Sequence, residues 1–491
     1  MSLINVAHLT FAYEGSYDDI FTDVSFQIDT NWKLGFCGRN GRGKTTFLKL
    51  LQGLHKYQGK ISANVNFEYF PFVVTDKKKN TVDVLYDLVP NVQLWEIEKE
   101  LSKMDVALET LARPFETLSG GESTKVLLAG LFLKENSFLL IDEPTNHLDM
   151  NGRETVARYL NSKAGFILVS HDRDFLDECV DHVLSINKTN IEVQGGNFSS
   201  WFYNKEMQDD FERAENAKLK KEVKRLKKTA REKADWSDRV ESTKIGGGSC
   251  DRGRIGHLAA KMMKKSKAIE HRHNKAVEEK SKLLKNIETA EKLKIHPLEY
   301  HTSRLITLDN VSVAYDGREI FKNLNFTLNQ GSRLAISGGN GSGKSSLIKL
   351  LCGGVEDIAY TGQINVGSRL VISYVPQDAN FLMGNLSDFA QAEKIDESLF
   401  KAILHKLDFS RVQFEKDMRD YSSGQKKKVL IARSLCQQAH VYIWDEPLNY
   451  IDILSRIQIE ELLMAYAPTM IFVEHDRAFC RNIATESLNL S

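Results

Sequence analysis

Two kinds of hydrophobic pattern divide the chain. Short apolar runs, bounded by glycine and polar residues, recur over 1–203 and again over 298–491, as buried strands do. Leu9 to Tyr13, Val24 to Ile28 and Lys33 to Cys37 read as early strands, and Phe138 to Ile141 and the run ending at Val169 as later ones. The stretch 204–297 has a helical period instead. Leu219, Val223, Leu226 and Ala230 follow one another at four, three and four, and Met262, Ile269, Ala276, Leu283 and Ala290 repeat at sevens. Between these arms lie Gly246-Gly247-Gly248, Gly253 and Gly256, which no helix tolerates well. The pattern predicts two long helices folded back on each other around a tip loop at about 236–256. An arm of about 35 helical residues would reach roughly 50 Å.

Charge sets the same stretch apart. It holds 26 Lys and Arg against 16 Asp and Glu, while the whole chain balances at 66 against 66. The flanking parts therefore carry the opposite surplus. Lys218, Lys220, Lys221, Lys224, Arg225, Lys227, Lys228, Arg231 and Lys233 crowd the first arm. A solvated coiled-coil spacer is one reading; a probe for a polyanion is the other, and a deep RNA target suits a far-reaching tip better than a flat membrane. A membrane-lying helix would need a broad Trp/Phe/Leu face, which this stretch lacks. With 491 residues, about three domains are expected. No apolar run approaches a membrane span, the start shows no signal peptide, and the six cysteines stand singly at 37, 179, 250, 352, 436 and 480. A reduced, cytoplasmic setting is the expectation.

Chemistry enters with Gly38-Arg39-Asn40-Gly41-Arg42-Gly43-Lys44-Thr45, a GxxxxGK[ST] match that follows a strand and precedes a helix. Its glycines let backbone N–H groups wrap phosphates, Lys44 reaches the outer phosphates, and Thr45 offers a hydroxyl to Mg²⁺. Leu118-Ser119-Gly120-Gly121-Glu122 comes next, and then an apolar strand ending in Asp142 and Glu143. That pair suits one carboxylate for Mg²⁺ and one to polarise an attacking water. Asn146-His147-Leu148-Asp149 and Val169-Ser170-His171-Asp172 complete the set. The series returns about 300 residues on, a duplication. Its members are Tyr315 (matching Tyr13), Gly338-Gly339-Asn340-Gly341-Ser342-Gly343-Lys344-Ser345, Tyr421-Ser422-Ser423-Gly424-Gln425, Trp444-Asp445-Glu446, Asn449-Tyr450-Ile451-Asp452 and Glu474-His475-Asp476. Any one of these acids or histidines is more often structural than catalytic; the ordered double set is what points to catalysis.

The motifs resemble the Walker A, signature, Walker B, D-loop and H-switch of ABC-type ATPases. The resemblance implies an α/β fold of two tandem P-loop ABC ATPase domains, 1–203 and 298–491, joined by a long antiparallel α-helical hairpin linker, 204–297. It implies ATP hydrolysis with ATP and Mg²⁺ as cofactors, Glu143, Glu446, His171 and His475 as catalytic residues, and Thr45, Asp142, Ser345, Gln377 and Asp445 as metal ligands. The nucleotide set also takes in Thr46 and Ser346, with Tyr13 and Tyr315 either stacking adenine or merely packing. In this family two modules close head to tail, so Lys344, Ser345, Gln377, Asp445, Glu446 and His475 would be completed by Ser119, Gly120 and Gly121. Lys44, Thr45, Asp142, Glu143 and His171 would be completed by Ser422, Ser423 and Gly424. That second site departs twice from the pattern: Phe72 stands where the first module should have the Gln found as Gln377, and Ser423 replaces a glycine.

Three readings of the work done compete: a ribosome-binding ABC-F ATPase, a twin subunit of a membrane importer, and a DNA-repair ATPase. The basic hairpin favours the first. Gly195-Gly196-Asn197-Phe198-Ser199-Ser200-Trp201 resembles the way ABC-F proteins enter their linker, or is a turn with an aromatic staple. The stretches around Trp32, Trp95, Arg113-Pro114-Phe115 and Tyr442 to Tyr450 resemble the Lsa/Vga resistance group. That implies a monomer acting on the bacterial 70S ribosome, meeting 23S rRNA and P-site tRNA from the tRNA exit site, with no DNA or membrane partner. It would protect against lincosamides, pleuromutilins and streptogramin A, a housekeeping translation factor being the alternative. Trp236, Lys244, Cys250, Arg252, Arg254, Ile255 and Lys261 are the RNA-binding tip candidates.

Overall fold

The computed structural model describes residues 2–13, 19–146, 148–187, 190–242, 293–315, 318–339, 341–353 and 358–490. Two compact units are present, one formed by Met1–Trp201 with Ala290–Ser491 and the other by Phe202–Thr289.

In the first module, β1 (Leu3–Phe11), β2 (Phe21–Asp29), β3 (Lys33–Cys37), α1 (Lys44–Leu51), β4 (Gln58–Ser62) and β5 (Asn66–Phe70) come first. They are followed by α2 (Thr81–Leu88), α3 (Leu94–Lys103), α4 (Gly120–Phe132), β6 (Ser137–Asp142), α5 (Met150–Asn161), β7 (Phe166–Val169), α6 (Arg173–Cys179), β8 (His182–Asn187) and β9 (Asn190–Gly195). A six-stranded sheet runs β5-β6-β7-β3-β8-β9, parallel except for the last pair, and an antiparallel sheet β2-β1-β4 adjoins it. All four residues of β7, Phe-Ile-Leu-Val, are buried, as a strand covered on both faces requires. The carboxyl ends of β3, β6 and β7 carry Gly38, Asp142 and Ser170-His171, so one sheet edge gathers motifs more than a hundred residues apart.

The second module repeats the plan with β10 (Arg304–Tyr315), β11 (Arg318–Asn329), β12 (Arg333–Ser337), a helix Lys344–Leu351, β13 (Tyr360–Val366) and β14 (Ile372–Val375). Then come helices Leu386–Ala392 and Glu397–Lys406, the helix Ser423–Cys436, β15 (Val441–Asp445), the helix Ile453–Tyr466, β16 (Met470–Val473), the helix Arg477–Ile483 and β17 (Glu486–Asn489). Its parallel sheet runs β14-β15-β16-β12-β17. Leu293 and Ile295 lie in the stretch expected to be linker, yet both are buried in this module's core cluster with Leu462 and Phe479. Fully burying one such side chain is worth about 1.5–3 kcal/mol. The chain is therefore docked on the second module before residue 297.

Between the modules, α7 (Phe198–Ser242) is a single 45-residue helix. Gly196 takes a φ of 117°, and the Asn197 side chain accepts from the Ser200 amide at 3.1 Å, starting the helix as a turn should. Phe198 and Trp201 are buried with their rings 5.5 Å apart, so the aromatic staple is present. Farther along, Lys218, Lys220, Lys221, Lys224, Arg225 and Lys228 are all exposed. The helix continues through Ser242, so Trp236 falls inside it and not in a loop as expected. Lys244, Cys250, Arg252, Arg254, Ile255, Lys261 and the second arm lie outside the described residues. Among the described residues no helix is long and apolar enough to cross a membrane.

The helices of the second module are named in chain order: α8 (Lys344–Leu351), α9 (Leu386–Ala392), α10 (Glu397–Lys406), α11 (Ser423–Cys436), α12 (Ile453–Tyr466) and α13 (Arg477–Ile483).

Candidate active sites

Both phosphate loops are built the same way. Gly43 and Gly343 sit in left-handed backbone, φ 94° and 91°, at the N-caps of α1 and α8, and no side chain caps either helix. A Cβ at either glycine would meet an isoleucine methyl, Ile20 or Ile320, at 2.5 Å. Glycine is therefore needed for close packing as well as for conformation. The exposed helix N–H groups suit an anion. Lys44 Nζ donates to Gly38 O (2.6 Å), Arg39 O (3.2 Å) and Asn40 Oδ1 (3.3 Å), and Lys344 Nζ to Gly338 O (2.9 Å) and Gly339 O (2.8 Å). Each ammonium is thus aimed across its loop. Asn340 lies outside the described residues. Tyr13 is 43% exposed, and its hydroxyl lies 2.8 Å from Thr46 Oγ1. That leaves a ring fixed at the mouth of the first loop, edge-on to Phe11 and His55. Its geometry is compatible with stacking and with packing alike.

Beyond β6 and β15, Glu143 and Glu446 adopt φ of 51° and 45°, uncommon for a branched-free acidic residue and the kind of strain found at functional positions. The Glu143 amide donates to Val169 O at 2.8 Å and the Glu446 amide to Val473 O at 3.0 Å, which fixes the turn. His171 Nε2 lies 3.3 Å from Glu143 Oε1, an oxygen buried with no hydrogen-bond partner, and His475 Nε2 lies 3.5 Å from Glu446 Oε1, so an imidazole stands beside each glutamate. The electrostatics differ. Burial, with Asp142 next to it, pushes Glu143 up to about 8. Burial works on Glu446 in the same direction, but His475, Gln377 and Lys427 outweigh it and hold the carboxyl below its ordinary value.

The metal positions differ too. In the first module Thr45 Oγ1 donates to Asp142 Oδ2 at 3.1 Å, and the Tyr69 hydroxyl donates to the same oxygen at 2.8 Å. In the second, Ser345 hydrogen-bonds Asp445, while Asp445 Oδ1 is buried with no hydrogen-bond partner. Gln377 Nε2 donates to Glu446 Oε2 at 2.9 Å, so its amide faces the glutamate. Phe72 follows β5 as Gln377 follows β14, each two residues past a strand end, and it offers no polar atom there. One carboxylate with one hydroxyl beside a phosphate loop fits Mg²⁺, which takes few protein ligands and completes its shell with phosphate and water.

The signature segments start helices. Ser119 caps α4 and Ser422 caps α11, each in a reciprocal capping box with Glu122 or Gln425. Gly424 lies between Tyr450 of its own module and Asn40 of the other: a Cβ there would be 2.4 Å from Tyr450 O and 3.3 Å from Asn40 Nδ2. Asn40 Nδ2 itself donates to Tyr450 O at 2.9 Å, and Arg39 Nη1 lies 3.5 Å from Asp408 Oδ1. The first phosphate loop therefore faces the second signature, as the head-to-tail arrangement requires. Arg153 Nη1 reaches Asp172 Oδ2 (2.6 Å) and, across the modules, His475 O (3.1 Å). Arg173 pairs with Glu460, Arg477 with Glu154, and Arg481 with Asp174 at 3.5 Å, all between modules.

Several of these residues went unread in the sequence. Arg153 and Arg456 each stand four residues after a D-loop aspartate, and Arg456 pairs with Asp476 at 2.9 Å as Arg153 does with Asp172. The duplication carried that signal. Lys427 and Lys428, just past the second signature, are buried, and Lys428 pairs with Asp452 at 2.8 Å.

A family model described as ABC transporter matches residues 21–146 and 321–449. The chain is 29% identical over 98% of its length to the ribosome protection protein VmlR of Bacillus subtilis, covering 85% of that protein. It is also 29% identical over 99% of its length to the ATP-binding protein Uup of Buchnera aphidicola, covering 80% of it. Among solved structures, the archaeal ribosome recycling factor aABCE1, in complex with the stalk protein aP1, aligns over 98% of this chain and 87% of its own with a TM-score of 0.64 at 17% identity. That likeness is one of fold.

Proposed function

The chain belongs to the ABC transporter family and carries two of its ATP-hydrolysing domains, and we propose that it is an ABC-F-type protein of the bacterial ribosome. On this reading it protects the peptidyl-transferase centre from lincosamides, pleuromutilins and streptogramin A. The observation that carries the proposal is the similarity to a ribosome protection protein over nearly the whole chain, linker included. The exposed lysines and Arg225 on α7 support it, because a row of cations on a long helix suits rRNA and tRNA phosphates.

In the mechanism, ATP phosphates rest on the N-termini of α1 and α8, with Lys44 and Lys344 turned onto them. Thr45 and Asp142, and Ser345 and Asp445, would hold Mg²⁺, which supplies charge neutralisation for the leaving phosphate. Glu446, kept anionic and oriented by Gln377 and His475, accepts the proton of the attacking water at its carboxylate. Glu143 holds the corresponding place in the first site with no amide partner at position 72, which makes the second module's site the more active of the two. Closure presses Ser119 and Gly424 onto the opposing nucleotides and fixes the linker. Hydrolysis releases it.

The test is co-sedimentation of the Glu143→Gln/Glu446→Gln variant with bacterial 70S ribosomes. With ATP it should pellet stoichiometrically, and without ATP it should stay in the supernatant; absence from the pellet at every salt concentration overturns the proposal. A housekeeping translation role is favoured by the equal similarity to Uup, named only as an ATP-binding protein. Restoration of drug-inhibited translation by the wild-type chain separates the two.

A further inference from the structure

Lys427 is a buried lysine that neither the fold nor the motifs require. It sits one turn into α11, 3% exposed, and among the described residues no carboxylate lies within ion-pair distance of it. Its Nζ donates instead to two backbone carbonyls, Pro376 O at 3.0 Å and Asp445 O at 3.4 Å. An ammonium in such a place is costly unless its hydrogen bonds and surroundings compensate. What it grips is informative. Pro376 precedes Gln377 and Asp445 precedes Glu446, and Gln377 Nε2 is the donor 2.9 Å from Glu446 Oε2. Lys427 thus holds the two main-chain points from which the glutamate and its amide partner project.

We propose that Lys427 is a positioning residue for ATP hydrolysis at the second module's site, clamping the segments that carry Gln377 and Glu446 to the signature helix. The inference rests on the assignment of Glu446 as the hydrolytic carboxylate. The first module has no such clamp, since Thr124 occupies the matching place on α4 and its short side chain is simply buried. The same α11 presents Gly424 to Asn40 and Tyr450. One rigid helix therefore touches both composite sites, and a shift of its N-terminus at the first is carried by Lys427 to the carboxylate of the second.

The experiment is a rapid-quench first turnover of Mg·ATP by the full chain, with Glu143→Gln and Glu446→Gln each marking the phase it abolishes. Lys427→Met should slow the Glu446 phase roughly 10- to 100-fold, the cost of misplacing a reacting group by about 1 Å. It should leave the Glu143 phase and the ATP concentration for half-saturation unchanged. Lys427→Arg should restore most of the rate, and Lys427→Thr, a residue the fold already accommodates at the matching place, should reproduce the loss with the melting temperature preserved. Two phases slowed alike, or a Glu446 phase indifferent to both Met and Thr, overturns the proposal while leaving Glu446 in its role. A first turnover indifferent to Glu446→Gln overturns the assignment of Glu446, and the proposal with it.

Discussion

Lys428→Met should destabilise the second module by about 3–5 kcal/mol, the cost of stripping one partner from a buried ion pair. The structure sets that magnitude. Lys428 Nζ and Asp452 Oδ2 are 2.8 Å apart, with side chains 6% and 1% exposed, and Nζ also donates to Leu407 O at 2.8 Å. Methionine keeps the length of the side chain and removes both interactions. Asp452 is left with the Ser455 amide and hydroxyl, at 3.0 and 2.9 Å, to satisfy a full charge. An exposed pair provides the contrast. Lys79 and Asp87 are equally close at 2.7 Å, but their side chains are 44% and 60% exposed, and Lys79→Met should leave stability essentially unchanged.

The loss has a signature in pH. Burial acts to raise Asp452, yet the Lys428 ammonium, its hydrogen bond and the Ser455 amide hold the carboxyl far below its ordinary range. A depressed acid adds stability that is present above its unfolded value, about 3.9, and is lost as pH falls through the folded value. Wild type and Lys428→Met should therefore differ near neutrality, begin to approach one another only below about pH 4, and converge as pH falls through the depressed value. Urea unfolding in steps from pH 7 to well below pH 4 measures this, with hydrogen exchange of the α12 amides to keep the two modules apart. Adding Asp452→Asn, which still caps α12, should recover part of the loss. A penalty below about 1 kcal/mol at pH 7, or one that does not change with pH, refutes the reasoning.

Three further outcomes are expected. A double-mutant cycle between Arg173→Met and Glu460→Gln should give a coupling of about 1–3 kcal/mol in thermal unfolding with saturating ATP, because that pair joins the modules and is largely buried; a coupling near zero would mean the modules are not held there. Gly424→Ala should reduce ATP turnover about 100-fold, since its Cβ would displace Tyr450 O, 2.4 Å away and the acceptor of the Asn40 amide of the opposing module, and crowd that amide itself at 3.3 Å. Replacing Lys218, Lys220, Lys221 and Lys224 by Gln should flatten the dependence of log ribosome affinity on log salt by about 3 units, and an unchanged slope would take those lysines off the RNA.

Strand ends and loops were legible in the sequence because they depend on short-range rules. A buried parallel strand must be apolar throughout, a phosphate loop needs glycine where φ is positive, and a duplicated order of motifs leaves few folds open. What stayed hidden depends on pairs far apart in the chain. Nothing near Asn40 announces that its amide will meet Tyr450 O, 410 residues away. Nothing in Lys426-Lys427-Lys428 separates the half-buried first lysine from the two that turn inward, because the rule that charge runs face water describes a helix surface, and most residues of α11 are buried. Comparison of the two copies recovers part of this. Arg153 and Arg456 keep one task in both modules, so alignment of the halves would have found them. Thr124 against Lys427, Phe72 against Gln377 and Tyr69 bonded to Asp142 where Tyr374 makes no such bond to Asp445 mark the places where the halves have parted. Tyr69 bonds Asp142, Gln377 bonds Glu446 and Lys427 grips the Asp445 carbonyl, so each pair has one member on the carboxylates at the ends of β6 and β15. The halves have therefore parted around the carboxylates that spend ATP as well as at Ser423, while Gly43 and Gly343, and Lys44 and Lys344, keep one geometry in both.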